Sequence, residues 1–349
     1  MKQLTVAVPY SLIPSELAKD LTRAYTAPAL AMLLGRHAKQ TITVTEPEAR
    51  LLPHEAWLTQ RLAGAHTDHA NHADQPPLAH AAMRALGVPA QQGFWFIVHP
   101  VHLALARTHM VLGDLRNLHL TDEDSRALFD AAKPYFDEVG KTLVFGDANT
   151  WFMRADDWRN MRCASPDAAI GENLADWMPD GEAKRPFRQL QNEIQMLWHA
   201  HPANAAREQR GLAPVNSFWM WGGAEGADSA SAALPELAEA ACLPWLSVLA
   251  APALRAADAA TVLARPQDTI AVLGAALPAG KEADWSAWLM HMQQLEQQWF
   301  APLLEALRGG RLDVLELLLT SRTHAVTYTI TKGSLRKFWR SPSLQGLTA

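Results

Sequence analysis

The sequence predicts a soluble α/β protein of two domains, with a mainly parallel sheet in one and an α+β arrangement in the other. Three observations carry this. The chain has 349 residues, 49% of them apolar and only 19% charged, with thirteen Trp, which is too long for one ordinary core and rich enough to fill two. Strand-like and helix-like segments alternate in the outer parts, the pattern of βαβ crossovers. The middle third changes texture, with short strands and two long amphipathic helices.

Residues 4–8 are a short apolar run suited to a buried strand, followed by helical patterns over 16–25 and 28–38. Residues 41–45 are β-branched at nearly every position and read as a second strand, before a helix near 54–62. Residues 64–77 form a polar loop with His66, Asp68, His69, His72 and Asp74, and it ends in a Pro pair. A surface loop is the expected state, because no helix or strand would hold these side chains in metal-ligand geometry.

Residues 94–98 open the middle region as a strand. A helix begins at Thr121 with Asp124 three positions on, a capping box, and ends at Gly140. Short strands are expected at 143–145 and 150–153, then a helix with Phe187, Leu190, Ile194, Leu197 and Trp198 on one face. Residues 215–221 read as a buried strand closing on a turn at Gly222 and Gly223. Beyond a small-residue connector at 222–233 the chain returns to apolar helices. Trp285, Trp288, Leu289, Met292, Leu295 and Trp299 recur at helical spacing, a core stripe; Gly309 and Gly310 stop that helix. Residues 312–319 are a strongly apolar strand, and Val326, Tyr328 and Ile330 alternate as in a half-buried one. The expected division is a core from residues 1–93 and 227–349 with residues 94–226 inserted.

Charge narrows the partners. A net charge of −5 gives no global field toward nucleic acid or an acidic membrane. The basic run Lys332, Arg336, Lys337 and Arg340 around Phe338 and Trp339 reads as a docked or solvated terminal helix. Cys163 and Cys242, with no C-x-x-C pair, are expected as reduced thiols. The first residues hold an apolar run too short for a signal peptide or a membrane span, so a cytoplasmic protein is expected.

The most informative stretch is QLQNEIQMLWHAHPANAAREQRGLAPVNSFWMWGGAEG, residues 189–226. Pro202 biases His201 away from the α conformation, so one helix ends near Ala200 and another starts at once. Asn204 and Arg207 share a face of the second helix, and Gly211 follows it as a C′ residue. With Asn216 on the next strand, His201, Asn204 and Arg207 make one polar surface. This run resembles the inserted domain of the archaeal-type cofactor-independent phosphoglycerate mutases, in which a His-Pro-x-Asn-x-x-Arg run precedes Gly, Pro, Asn and a Gly-rich strand end. PALAMLL resembles that family's first helix, GFWFIVHPVHL the strand into its inserted domain, and LDVLELLLTSRTH the strand before its last metal ligands. The resemblance implies an alkaline-phosphatase-like core and is strongest to a bacterial branch of RpfE-type regulatory proteins.

The same resemblance exposes what is missing. Family members activate a Ser or Thr nucleophile with two divalent metals about 4 Å apart, held by Asp and His at strand ends. In place of an Asp-Gly pair the first strand ends in Val8, Pro9 and Tyr10; in place of an Asp-His pair the apolar strand ends in Thr320, Ser321 and Arg322. After residues 94–98, where the family carries Arg and Asn, stand His99, Pro100 and Val101. The expected protein has no catalytic residues, metal or cofactor: it is a binding or regulatory relative of the mutases, with no nucleic-acid or membrane partner. A small anionic ligand would sit on His201, Asn204, Arg207 and Asn216, expected to line the cleft between the domains. A working mutase and an assembly partner are the alternatives.

Overall fold

The computed structural model describes residues 2–63, 77–89, 92–225 and 236–348; the His-rich run 66–74 lies outside them. In chain order the strands are β1 Gln3–Val8, β2 Lys39–Val44, β3 Phe94–Val101, β4 Leu103–Leu105, β5 Met110–Leu112, β6 Thr142–Phe145, β7 Trp151–Arg154, β8 Ser217–Glu225, β9 Glu236–Ala240, β10 Thr269–Leu273, β11 Val314–Thr320 and β12 His324–Thr331. Two compact units result. One comprises Met1–Pro47, Ala233–Cys242 and Ala250–Ala349; the other comprises Glu48–Ala232 and Leu243–Leu249.

The first boundary between these compact units falls at residue 48. Residues 48–93 join the second unit because helix Ala79–Ala85 buries Ala79, Ala82 and Met83 and packs on β3 and β8. The short helix Pro244–Leu249 joins it too, its Trp245 ring standing edge-on to Trp221 at 5.0 Å between centroids.

In the first unit a six-stranded sheet has the order β2-β12-β11-β1-β10-β9. β1 lies between β10 and β11 and is parallel to both, and β9 is parallel to β10. β12 is antiparallel to β11 and to β2, so it alone runs against the rest. Central parallel strands are covered on both faces, which is why Leu4, Val6, Ala7 and Val8 are all buried and why residues 4–8 read as an unbroken apolar run. Trp288, Met292, Trp299, Leu303 and Leu307 pack with Leu30 and Leu33 in one core cluster. The stripe is interrupted by a π-helical turn, Glu296–Phe300, between helices Trp285–Leu295 and Ala301–Gly309. Strands β9 and β10 were not anticipated. ELAEA is made of good helix formers, but Leu237 and Ala238 are buried beside β10, and tertiary packing overrides propensity.

The second unit is built on an antiparallel sheet of order β6-β7-β3-β8. Every residue of β3 is buried. Helix Asp122–Glu138 starts at Thr121, whose Oγ1 accepts from Asp124 N at 3.1 Å, as the capping box requires. Helix Lys184–His199 packs beside it and on β8, burying Phe187, Leu190, Ile194 and Trp198. Gly222 and Gly223 do not end a strand. They form a bulge inside β8, where the register with β3 shifts between Trp95 and Ile97. Gly222 has φ +66°, and a Cβ on Gly223 would lie 2.6 Å from the Phe94 ring, so both positions require glycine.

Candidate functional site

Two places bear on function: the polar run of the second unit and the carboxyl ends of the parallel strands in the first. In the polar run, helix Lys184–His199 gives way to helix Pro202–Gln209 with His201 as N-cap, its Nδ1 accepting from Ala203 N at 3.2 Å. Asn204 is buried. Its Nδ2 donates to Trp198 O and Val215 O, and its Oδ1 accepts from Val215 N, all at 2.8 Å. Asn216 makes a two-way bond with the Leu103 backbone, accepting at 2.7 Å and donating at 2.9 Å.

Arg207 is 0% exposed. Nε donates to Ala213 O at 3.0 Å, Nη1 to Asp124 Oδ2 at 3.1 Å, and Nη2 to Leu118 O. Arg210 completes the cluster from outside, with Nη2 at 2.7 Å and 2.9 Å from the two Asp124 oxygens. Burial alone would raise the Asp124 carboxyl, but hydrogen bonds from Arg210, Thr121 and Arg207 outweigh it and hold the group below its ordinary value. The four residues chosen from the sequence are thus near one another in the fold, yet their donors point into the protein. The acid paired with Arg207 is Asp124, which from the sequence was legible only as a capping residue.

His99, which stands where the resembled family carries Arg and Asn, is also closed off. It is 0% exposed, with Nδ1 against Asn149 O at 2.6 Å and Nε2 accepting from Trp221 Nε1 at 2.9 Å. Those partners place the proton on Nδ1. Burial pushes its pKa down to about 4 despite the bond to the Asn149 carbonyl.

At the strand ends of the first unit, β1 runs into Pro9 and Tyr10, and Tyr10 takes φ 55°, a left-handed conformation unusual for an aromatic residue. Trp288 Nε1 donates to Tyr10 O at 2.8 Å, and Gly280 lets the Tyr10 side chain approach, since a Cβ there would lie 2.8 Å from Tyr10 Cβ. Ser11 Oγ donates to Val8 O at 2.6 Å, and Leu12 N donates to Thr320 O at 3.0 Å. Thr320 is 0% exposed. Ser321 Oγ accepts from His324 N at 3.1 Å in the turn to β12, while Arg322 Nη2 reaches Pro47 O at 2.7 Å.

The residues at these strand ends are not the Asp and His of a dinuclear site. The hydroxyls of Ser11, Thr320 and Ser321 are neutral, no carboxylate stands at the end of β1 or β11, and Arg322 adds positive charge. Among the described residues no three His, Cys, Asp or Glu side chains gather as a metal site. Among the same residues no helix is long and apolar enough to cross a membrane.

No family model matches the sequence. A probable 2,3-bisphosphoglycerate-independent phosphoglycerate mutase of Geobacter sulfurreducens is 28% identical over 131 residues, 36% of this chain and 32% of that protein. The chain is a distant and partial homologue of these mutases. The 2,3-bisphosphoglycerate-independent phosphoglycerate mutase of Methanosarcina acetivorans is 35% identical, but over 60 residues, 17% of this chain and 15% of that one. The match thus spans a third or less of the curated mutases. The solved structure of the PH0037 protein from Pyrococcus horikoshii aligns over 95% of this chain and 87% of that chain, with a TM-score of 0.50 and 10% identity. At that identity the likeness is one of fold alone: mixed α/β with a mostly parallel central sheet.

Proposed function

We propose that this chain is a phosphoglycerate-mutase-like protein of the RpfE-type regulatory branch that binds or regulates and does not catalyse phosphoryl transfer. Within this reading residues 94–226 correspond to the family's inserted domain. The observation that carries it is the composition of the strand ends: Tyr10, Thr320, Ser321 and Arg322 stand where a dinuclear site would need Asp and His. The backbone of the same residues is bonded within the unit through Trp288 and Leu12. Two cysteines with no C-x-x-C pair fit a cytoplasmic setting.

The set His201, Asn204, Arg207 and Asn216 belongs to this proposal as a brace within the second unit. Its donors are spent on Trp198, Val215, Ala213, Leu118, Asp124 and Leu103, which leaves little for an anion.

A coupled assay for interconversion of 3- and 2-phosphoglycerate, with Mn²⁺ or Mg²⁺ supplied, tests the central claim. The expected outcome is no turnover above background. A rate of about 1 s⁻¹ or more, within the usual enzymatic range, would make the chain a working mutase with a different ligand set.

A further inference from the structure

The outer edge of β2 is the least protected feature of the first sheet. All six residues from Lys39 to Val44 are exposed, Ile42 at 59% and Val44 at 67%. Ile42 stands opposite Val326 and Gln40 opposite Tyr328, so β2 continues the face on which β12 buries Val326, Tyr328 and Ile330. The buried layer stops one strand short. Native edge strands are commonly blunted by Pro, bulges or several charges, whereas β2 carries a single Lys and a run of Thr, Ile, Thr and Val.

Its backbone is set for pairing. Thr45 N donates to Thr323 O at 2.7 Å. By the alternation of an antiparallel ladder, Thr43 and Thr41 also face β12, and Gln40, Ile42 and Val44 turn their N–H and C=O outward. Among the described residues no strand pairs with that edge.

We propose that β2 is a self-association edge that pairs antiparallel with β2 of a second copy of this chain. Charge selects this occupant. The strand is basic at its start, with Lys39, and with Lys337 and Arg340 docked on His37 O at 3.0 and 3.4 Å; it is followed by Glu46. A two-fold antiparallel pairing sets each basic end against the other copy's Glu46, whereas parallel addition of a like strand would align like with like. A two-fold axis normal to the sheet keeps faces matched, so facing residues differ by an even number. Centring on Ile42 places Ile42 against Ile42 of the second copy and Val44 against its Gln40, with every outward backbone group of these residues paired. The exposed Phe338 and Trp339, next to Lys337 at the start of β2, then lie toward the second copy's Val44.

Sedimentation of the full chain over about 1 to 200 µM, the range in which a small interface associates, tests this. The wild type is expected to shift from monomer to dimer. Ile42→Lys sets like charges face to face and should weaken association tenfold or more. Lys39→Glu should weaken it about fivefold, and adding Glu46→Lys should restore it, a rescue that misfolding cannot imitate. A wild type monomeric throughout overturns the proposal, as does a dimer indifferent to these substitutions.

Discussion

Arg207 shows what a single buried side chain does here. Its planar fork meets three acceptors from three separated segments, Ala213 O, Asp124 and Leu118 O, so one residue fixes their spacing. Arg207→Ala should lower the stability of the second unit by about 3 kcal/mol, and Arg207→Lys should rescue little, because an ammonium cannot span all three; urea unfolding followed by Trp fluorescence measures both. His99 gives a pH dependence. With its folded pKa near 4 and its unfolded value near 6.5, its contribution is complete above pH 6.5 and is lost as pH falls through that window to about 4. The loss is on the order of 3 kcal/mol. His99→Gln should flatten that limb of the stability curve in equilibrium unfolding from pH 7 to 4. Part of the local grammar around these residues was legible, the helix end near Ala200, the new start at once and Gly211 following with φ +74°, but the role of His201 as cap of the second helix was not. The destination of the Arg207 fork was not, because Asp124 lies 83 positions away and spacing says nothing about such a pair.

Among the elements, the helical pair Trp285–Leu295 and Ala301–Gly309 is shaped by its π turn. The turn brings Glu296 to the start of helix Pro28–Gly35, where its carboxylate accepts from Ala29 N at 2.7 Å and Leu30 N at 3.1 Å. Burial holds that carboxyl above its ordinary value even with two backbone donors on it. Ala27, the N-cap of that helix, offers no side-chain bond, so Glu296 takes the capping role from a distance. Glu296→Ala should cost about 2 kcal/mol by leaving two buried N–H groups unpaired, whereas Glu296→Gln should retain part of the loss, readable in the same unfolding experiment. The Trp and Met stripe itself was plain from helical spacing. The extra residue that makes the π turn was not, since its reason is a helix more than 260 positions earlier. β1, β11 and β12 were legible from apolar runs and alternation; β9 was hidden in Ala and Glu, residues whose own preference is for helix.

At the scale of the whole molecule, the α/β class and the mostly parallel sheet followed from alternation of elements, while the unit that helix Ala79–Ala85 packs in was not legible, because such a helix reads the same whichever sheet it serves. The order of the six-stranded sheet has a temporal side. β1 precedes both of its neighbours in the chain, so Leu4 must wait for Thr269 on one side and Leu315 on the other. Residues 94–225 hold all four strands of the antiparallel sheet and can pair as soon as they leave the ribosome. During synthesis the antiparallel sheet can therefore mature first, while the apolar β1 made before it stays unshielded until β10 and β11 emerge.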